Sequence, residues 1–225
     1  MTKLFLIPAK KNSRGIKNKN LIKINGKSLV ERTLKECFFS KITDLIYVSS
    51  DSENILNIAK KYNAIPIKRP KKFCSNNASA NSVVLHFISV LPENLINLNP
   101  WLFYLQPTSP LRKKKHLIEA CKLLKKNKTV ISVYETESNL FKGLYKKGKY
   151  LFPLVKENFL TENRQKLKKT FYPNGAIYIF RIKDFLKKKK ISTFKSIPYI
   201  MNHKDSLDID SVSNLKILKE LEKQL

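Results

Sequence analysis

The sequence predicts an α/β domain, with a mostly parallel central sheet and helices on both of its faces. Short apolar runs of about five residues alternate with helical stretches of about twelve, which is the pattern of β-α-β units. Right-handed crossovers between such strands place helices on both faces. The polar loops that follow the apolar runs fall where parallel sheets bind ligands, at the C-terminal edge. The 225 residues allow one large α/β domain, or one with an insertion, and 42% hydrophobic residues supply its core.

Leu4-Phe5-Leu6-Ile7 reads as a buried first strand ended by Pro8. A cationic loop follows, holding Lys10, Asn12, Ser13, Gly15, Lys19 and Asn20. Backbone N–H groups, short polar side chains and fixed cations suit a phosphate chain. The competing reading is a solvated basic loop, and the Walker spacing is absent. Asn25-Gly26 marks a turn, and Ser28 with Glu31 forms a capping box ahead of a helix bearing Leu29, Thr33, Leu34 and Cys37. Residues 45–49 form a second strand, and Ser50-Asp51-Ser52 caps a helix with Ile55, Leu56, Ile58 and Ala59 inward. Residues 65–67 are a short third strand from which Arg69 emerges, residues 78–91 are helical, and 101–105 are a fourth strand.

Gln106-Pro107-Thr108-Ser109-Pro110-Leu111-Arg112 leaves that strand as a stiff loop. Its uncharged donors suit a polyhydroxylated ligand; the plainer reading is a Pro-rich turn. A helix over 113–126 and a strand over 129–134 follow. The alternation then fails from Glu135 to about Lys169, a stretch of about 35 residues too long for a plain loop. It reads as an arm over about 136–170 packed against a second subunit, or else as a lid of the same chain. Residues 171–180 return to sheet, Lys187–Lys190 is a solvated helix end, 197–201 is a last strand, and a closing helix carries Leu215, Ile217, Leu218 and Leu221.

Lysine and arginine total 45 against 17 acids, a net charge of +28. Such a balance suits nucleic acid or a membrane surface. The lysines are spread along the whole chain, so the charge reads as compositional drift, and neither a dedicated nucleic-acid partner nor a membrane is expected. Cys37, Cys74 and Cys121 are odd in number and far apart, so neither a zinc site nor a disulfide framework is indicated. The chain enters its first strand without a leader pattern, and no apolar run approaches a membrane span, so a cytoplasmic protein is expected.

Asp208 and Asp210 alternate with Leu207 and Ile209, so on extended backbone the two carboxylates point one way and the apolar pair the other. Such a pair holds Mg²⁺ or Mn²⁺ together with phosphate oxygens; alternatively the acids mark a helix entrance. Asp205, a third acid within six residues of a chain poor in acids, favours the metal. A cationic loop, a carboxylate pair and a polyol-friendly loop together form a site where a sugar hydroxyl attacks an α-phosphate and displaces pyrophosphate.

Four stretches then resemble the acylneuraminate cytidylyltransferases. These are Pro8–Gly15 with Lys19-Asn20, Leu105–Arg112, Asn174-Gly175-Ala176-Ile177-Tyr178, and Asp205–Asp210, in order over roughly residues 3 to 221. The resemblance implies a Rossmann-like nucleotidyltransferase with an inserted dimerisation subdomain, working as a homodimer. It would use CTP and Mg²⁺ to make the CMP derivative of a nonulosonic acid for surface glycans. It gives Lys10, Asn12, Ser13, Gly15, Lys19 and Asn20 the triphosphate, and Arg69 and Ala80 the cytidine side. Gln106, Thr108, Ser109, Arg164, Asn174 and Tyr178 take the sugar. Lys142 would meet the sugar carboxylate from the partner subunit. Asp208 and Asp210 hold the metal, Lys19 stabilises phosphate charge, and one aspartate, or a water on the cation, takes the proton from the anomeric 2-hydroxyl. Departures are Lys10 in place of the usual Arg, which loses a bidentate fork, Asn76 and Ala80 in place of Asp and Ser, and Asn214 in place of an acid. The alternatives are the same reaction on an eight-carbon keto acid sugar, a basic nucleic-acid-binding protein, and an inactive dimeric scaffold.

Overall fold

The computed structural model describes residues 1–12, 15–75, 78–124 and 128–223; Ser13 and Asn76, singled out above, lie outside the described residues. The first strand, β1 (Lys3–Pro8), leads through the cationic loop into a small hairpin of β2 (Lys23–Ile24) and β3 (Lys27–Ser28), then α1 (Leu29–Ser40). The capping box forms as the sequence requires: Ser28 Oγ accepts from the Glu31 N–H, and the Glu31 carboxylate accepts from the Ser28 N–H. Next come β4 (Ile46–Ser50), α2 (Glu53–Lys61), β5 (Ile65–Lys68), α3 (Ala80–Ser89), the short α4 (Glu93–Asn97), β6 (Trp101–Tyr104), α5 (Lys114–Lys122) and β7 (Val130–Glu135). Helix α4 has no counterpart in the sequence reading, and α5 ends sooner than expected.

The arm folds on itself as a hairpin of β8 (Leu144–Lys147) and β9 (Tyr150–Pro153), followed by α6 (Asn158–Thr161). The chain rejoins the sheet in β10 (Phe171–Arg181), passes through α7 (Ile182–Lys188) and β11 (Ile197–Ile200), and closes with α8 (Val212–Lys223). Lys189 caps α7 in the left-handed region, and the Lys187–Lys190 run is exposed.

The seven-stranded sheet has the order β11-β7-β10-β6-β1-β4-β5. In this sheet β10 alone runs against its neighbours. The C-terminal ends of β1, β4, β5, β6 and β7 therefore share one edge with the beginning of β10. A bulge between Pro173 and Tyr178 bends β10 there.

Alternation along β1 explains the layers. Phe5 and Ile7 face α1, α2 and α5 through Val30, Leu34, Ile55, Ala59, Leu117 and Ala120. Leu4 and Leu6 face α3 and α7 through Val84, Phe87 and Phe185. A third cluster joins Ile16, Ile24, Leu29, Leu111, Ile209, Leu215 and Leu218, fastening the first loop and α8 to the ligand-facing edge. Burying each large aliphatic side chain contributes about 1.5–3 kcal/mol, enough to hold polar loops in fixed positions. Among the described residues no helix is long and apolar enough to cross a membrane.

Candidate active site

A cleft of about 330 Å³ opens at that edge. Its lining brings together Lys10, Lys19, Asn20, Arg69, Ala80, Gln106, Thr108, Asp208 and Asp210, from five separate stretches of chain.

The first loop is pinned from within. Asn20 Nδ2 donates to the Lys10 carbonyl at 2.9 Å, and the Lys11 N–H donates to Asp51 Oδ1 at 2.7 Å. Among the described residues Asn20 Oδ1 is buried without a partner. Gly15 has φ +85°, and a Cβ there would lie 3.2 Å from the Asp210 carbonyl oxygen. It thus shapes the loop against the aspartate segment without lining the cleft. Asn12 is exposed and also outside the lining.

Lys19 is only 5% exposed. Its ammonium donates to the Ile209 carbonyl at 2.6 Å and to Asp210 Oδ1 at 2.8 Å. Lys19 thus pairs directly with one aspartate of the segment, Asp210. Ile209 is buried as the alternation requires, and its N–H donates to the Thr108 carbonyl at 2.8 Å, tying the aspartate segment to the Pro-rich loop.

The two aspartates differ in environment. Burial pushes the Asp208 carboxyl up to about 6, with the Asp210 charge adding to the effect and Thr108 and Lys19 opposing it. For Asp210 burial also acts upward, but the Lys19 ammonium overrides it and holds the carboxyl below its ordinary value. Among the described residues Asp208 Oδ1 is buried without a hydrogen-bond partner, which leaves lone pairs that a divalent cation can use. Among the described residues no cluster of three or more His, Cys, Asp or Glu side chains forms. The donor set therefore fits an ion that takes one or two carboxylates and draws the rest from phosphate and water.

Asp205 does not belong to this pair, contrary to the weight placed on it above. It is buried against His116 Nε2 at 3.3 Å and accepts from Asn202 Nδ2 at 2.9 Å. The adjacent residues instead use it as an anchor for the turn entering the aspartate segment.

Arg69 is buried, with Nε donating to Ser49 Oγ at 3.0 Å and Nη2 donating to the Ser49 carbonyl. Ala80 opens α3, whose cap is Ser79 Oγ accepting from the Ser82 N–H at 3.2 Å. Gln106 lies over Gly175: a Cβ there would stand 2.4 Å from Gln106 Oε1 and 3.9 Å from Asp208 Oδ2, and Gly175 has φ +74°. This position thus admits only glycine without displacing the glutamine.

Ser109 is buried away from the cleft, with its hydroxyl donating to the Asn174 carbonyl at 3.4 Å. Asn174 is locked by Ser132 Oγ at 2.5 Å, Ser206 Oγ at 2.9 Å and the Ala176 N–H at 3.1 Å. Its side chain is structural in this arrangement, stabilising the bulge. Tyr178 is partly buried behind Tyr104, edge-on at 6.3 Å, and outside the cleft lining. Lys142 donates to the carbonyls of Leu160 at 3.3 Å and Glu162 at 2.5 Å, and Arg164 is exposed on the same arm. Neither reaches its own chain's cleft lining.

Two features escaped the sequence reading. Arg112, 1% exposed, is a buried pin: Nη1 donates to the carbonyls of Gln106 at 2.9 Å and Ala176 at 2.8 Å, and Nη2 donates to Thr33 Oγ1 at 2.9 Å. Nothing local in the sequence distinguishes such a buried pin from an exposed loop arginine. The second is a larger cavity of about 640 Å³ on the other side of Asp208, walled by Tyr134, Tyr172, Leu207, Ile217 and Leu221. Its walls come from β7, β10 and α8, so no single motif announces it.

A family model described as cytidylyltransferase matches residues 4–225. The chain is 32% identical over 218 residues to the N-acylneuraminate cytidylyltransferase of Escherichia coli O18:K1:H7, with 92% of this chain and 49% of that protein covered. The chain thus spans about half the length of such relatives. It is 28% identical to the pseudaminic acid cytidylyltransferase of Campylobacter jejuni serotype O:2, covering 99% of this chain and 97% of that one. In fold it is similar to a CMP:2-keto-3-deoxy-manno-octonic acid synthetase solved with CTP, with a TM-score of 0.71, 11% identity, and coverage of 100% and 99% of the two chains.

Proposed function

The chain belongs to the cytidylyltransferase family, and from that premise we propose that it transfers CMP from CTP to the anomeric 2-hydroxyl of a sialic acid-like nonulosonic acid, releasing pyrophosphate. The observation that carries this reading is the convergence of Lys19, Asp208 and Asp210 in one cleft with the cations Lys10 and Arg69. Relatives named for N-acylneuraminate and pseudaminic acid support the acceptor class.

The triphosphate lies along Lys10, Asn20 and the first loop, with cytidine toward Arg69 and Ala80. Lys19 is held in place by Ile209 and Asp210, so its charge meets the phosphates without reorganising, the kind of contribution worth about 3–4 kcal/mol at a transition state. Gln106 and Thr108 orient the sugar. One carboxylate of the Asp208–Asp210 pair, or a water, takes the proton from the attacking hydroxyl. Asp208 and Asp210 would hold Mg²⁺ or Mn²⁺, which when bound neutralises phosphate oxygens and acidifies a hydroxyl.

We further propose a cytoplasmic homodimer. Two unpartnered apolar surfaces support it: the exposed Leu144, Tyr145, Leu151 and Phe152 of the β8–β9 hairpin, and the apolar cavity beside Asp208. In a dimer the arm brings Lys142 and Arg164 to the partner's cleft. The domain reading is one cytidylyltransferase domain over 1–225 with the arm at about 136–170 as its dimerisation element.

The test is pyrophosphate release from CTP and Mg²⁺ with a panel of nine-carbon and eight-carbon keto acid sugars. Release with a nine-carbon acid is expected. Release only with the eight-carbon acid moves the assignment to that substrate, and release with neither refutes the enzyme reading.

A further inference from the structure

A second cavity of about 330 Å³ lies at the opposite edge of the sheet, where β10 ends and β7 and β11 begin. A strand of six residues spans roughly 20 Å, so the sheet separates this cavity from the cleft. Its walls carry Lys128, Lys187, Lys188, Lys190 and Lys195 against one acid, Asp184. Lys187, Lys188, Lys190 and Lys195 come from one stretch, and Lys128, just before β7, joins them around the same hollow. No salt bridge among the described residues engages any of the five. Among the described residues their only side-chain hydrogen bond is from Lys188 Nζ to Ser192 Oγ at 3.3 Å.

The cavity is also amphipathic. Its floor is the stacked pair Phe180 and Phe185, ring centroids 5.5 Å apart and both buried in the core. Phe194 stands at its rim, 79% exposed. Lysine ammonium groups without carboxylate partners attract an anion, and the exposed Phe194 ring, with Lys195 Nζ 5.4 Å from its centroid, offers a face to an apolar or planar body. A solvated face would need neither the hollow nor the aromatic lining.

We propose that this cavity is a second ligand site, which takes a phosphate-bearing anion joined to an apolar or planar group. A free nucleotide and an anionic phospholipid headgroup both present that chemistry. The site is independent of the cleft and of the reaction assigned to it.

Calorimetric titration of the full chain with inorganic pyrophosphate and with ADP, and co-sedimentation with phosphatidylglycerol vesicles, test this. The variants are K187E/K188E/K190E and, from the other walls, K128E/K195E. A charge-matched control, K23E/K60E/K61E, alters exposed lysines elsewhere. Binding of pyrophosphate or ADP that weakens at least about tenfold in the cavity variants and not in the control supports a free phosphate ligand. Vesicle binding lost in the cavity variants and kept in the control supports a lipid headgroup as the source. Equal losses in the cavity variants and the control, or no binding that depends on the cavity, overturn the proposal. Circular dichroism establishes that each variant is folded; the two cavity variants, altered at different exposed walls, read out the same site independently.

Discussion

Asp208 is expected to cost the fold stability at the pH where it works. The unfolded chain has the ordinary aspartate value of 3.8, whereas burial raises the folded value to about 6. The fold therefore binds this proton more tightly than the unfolded chain does. The stability gained from protonation is fully present below about pH 4 and is lost as pH rises through about 6. Each tenfold in proton affinity is about 1.36 kcal/mol, so ionised Asp208 costs at most about 3 kcal/mol at pH 8. Residual solvent contact and the neighbouring Asp210 reduce this to about 2 kcal/mol. Asp208→Asn keeps the shape and removes the charge. It should raise Tm by about 4–8 °C at pH 8 and leave it unchanged near pH 4. The same substitution should lower CTP-dependent pyrophosphate release by about 100-fold or more. Calorimetric melts at the two pH values and a pyrophosphate assay measure both effects. A Tm gain equal at pH 4 and pH 8, or a loss at pH 8, would refute the account of Asp208 as a buried, charge-penalised carboxylate.

Lys19→Met should reduce kcat by about 100-fold or more; the Asp210 carboxyl, freed of its partner, should titrate higher by NMR. Gly175→Ala should displace Gln106 and strain the backbone, raising the KM for the sugar more than that for CTP, with a stability loss of about 1–3 kcal/mol in denaturant titration. Arg112→Leu should destabilise by about 2–4 kcal/mol, because the carbonyls of Gln106 and Ala176 lose their buried donor; a melt that matches the wild type would show the pin to be dispensable.

Much of the fold was legible because its signals are local. The Ser28–Glu31 box, the apolar run at 4–7 and the inward residues of α3 each report on neighbours a few positions away. The direction of β10 was not legible: an apolar strand reads the same whichever way it enters a sheet, and only the pairing fixes it. The cleft was legible as a set of motifs and not as contacts. Alternation placed Asp208 and Asp210 together, yet the ion pair between Lys19 and Asp210 spans 191 residues and has no sequence period. Asp205 and Arg112 show the same limit. His116 and Asn202 hold Asp205 inside the fold, and for Arg112 the Ala176 carbonyl and Thr33 hydroxyl, both distant in sequence, join the nearby Gln106 carbonyl.

The reversed strand has an evolutionary corollary. Because β7 exits and β10 enters on one rim, the excursion between them departs and returns there. The ladder is zipped shut behind it, with the Thr136 N–H donating to the Thr170 carbonyl at 2.9 Å and the two threonine hydroxyls 2.6 Å apart. A lineage could lengthen, shorten or exchange this graft while the scaffold kept its pairing. On the assignment proposed above, acceptor contacts carried by the arm change while the cleft residues stay in place.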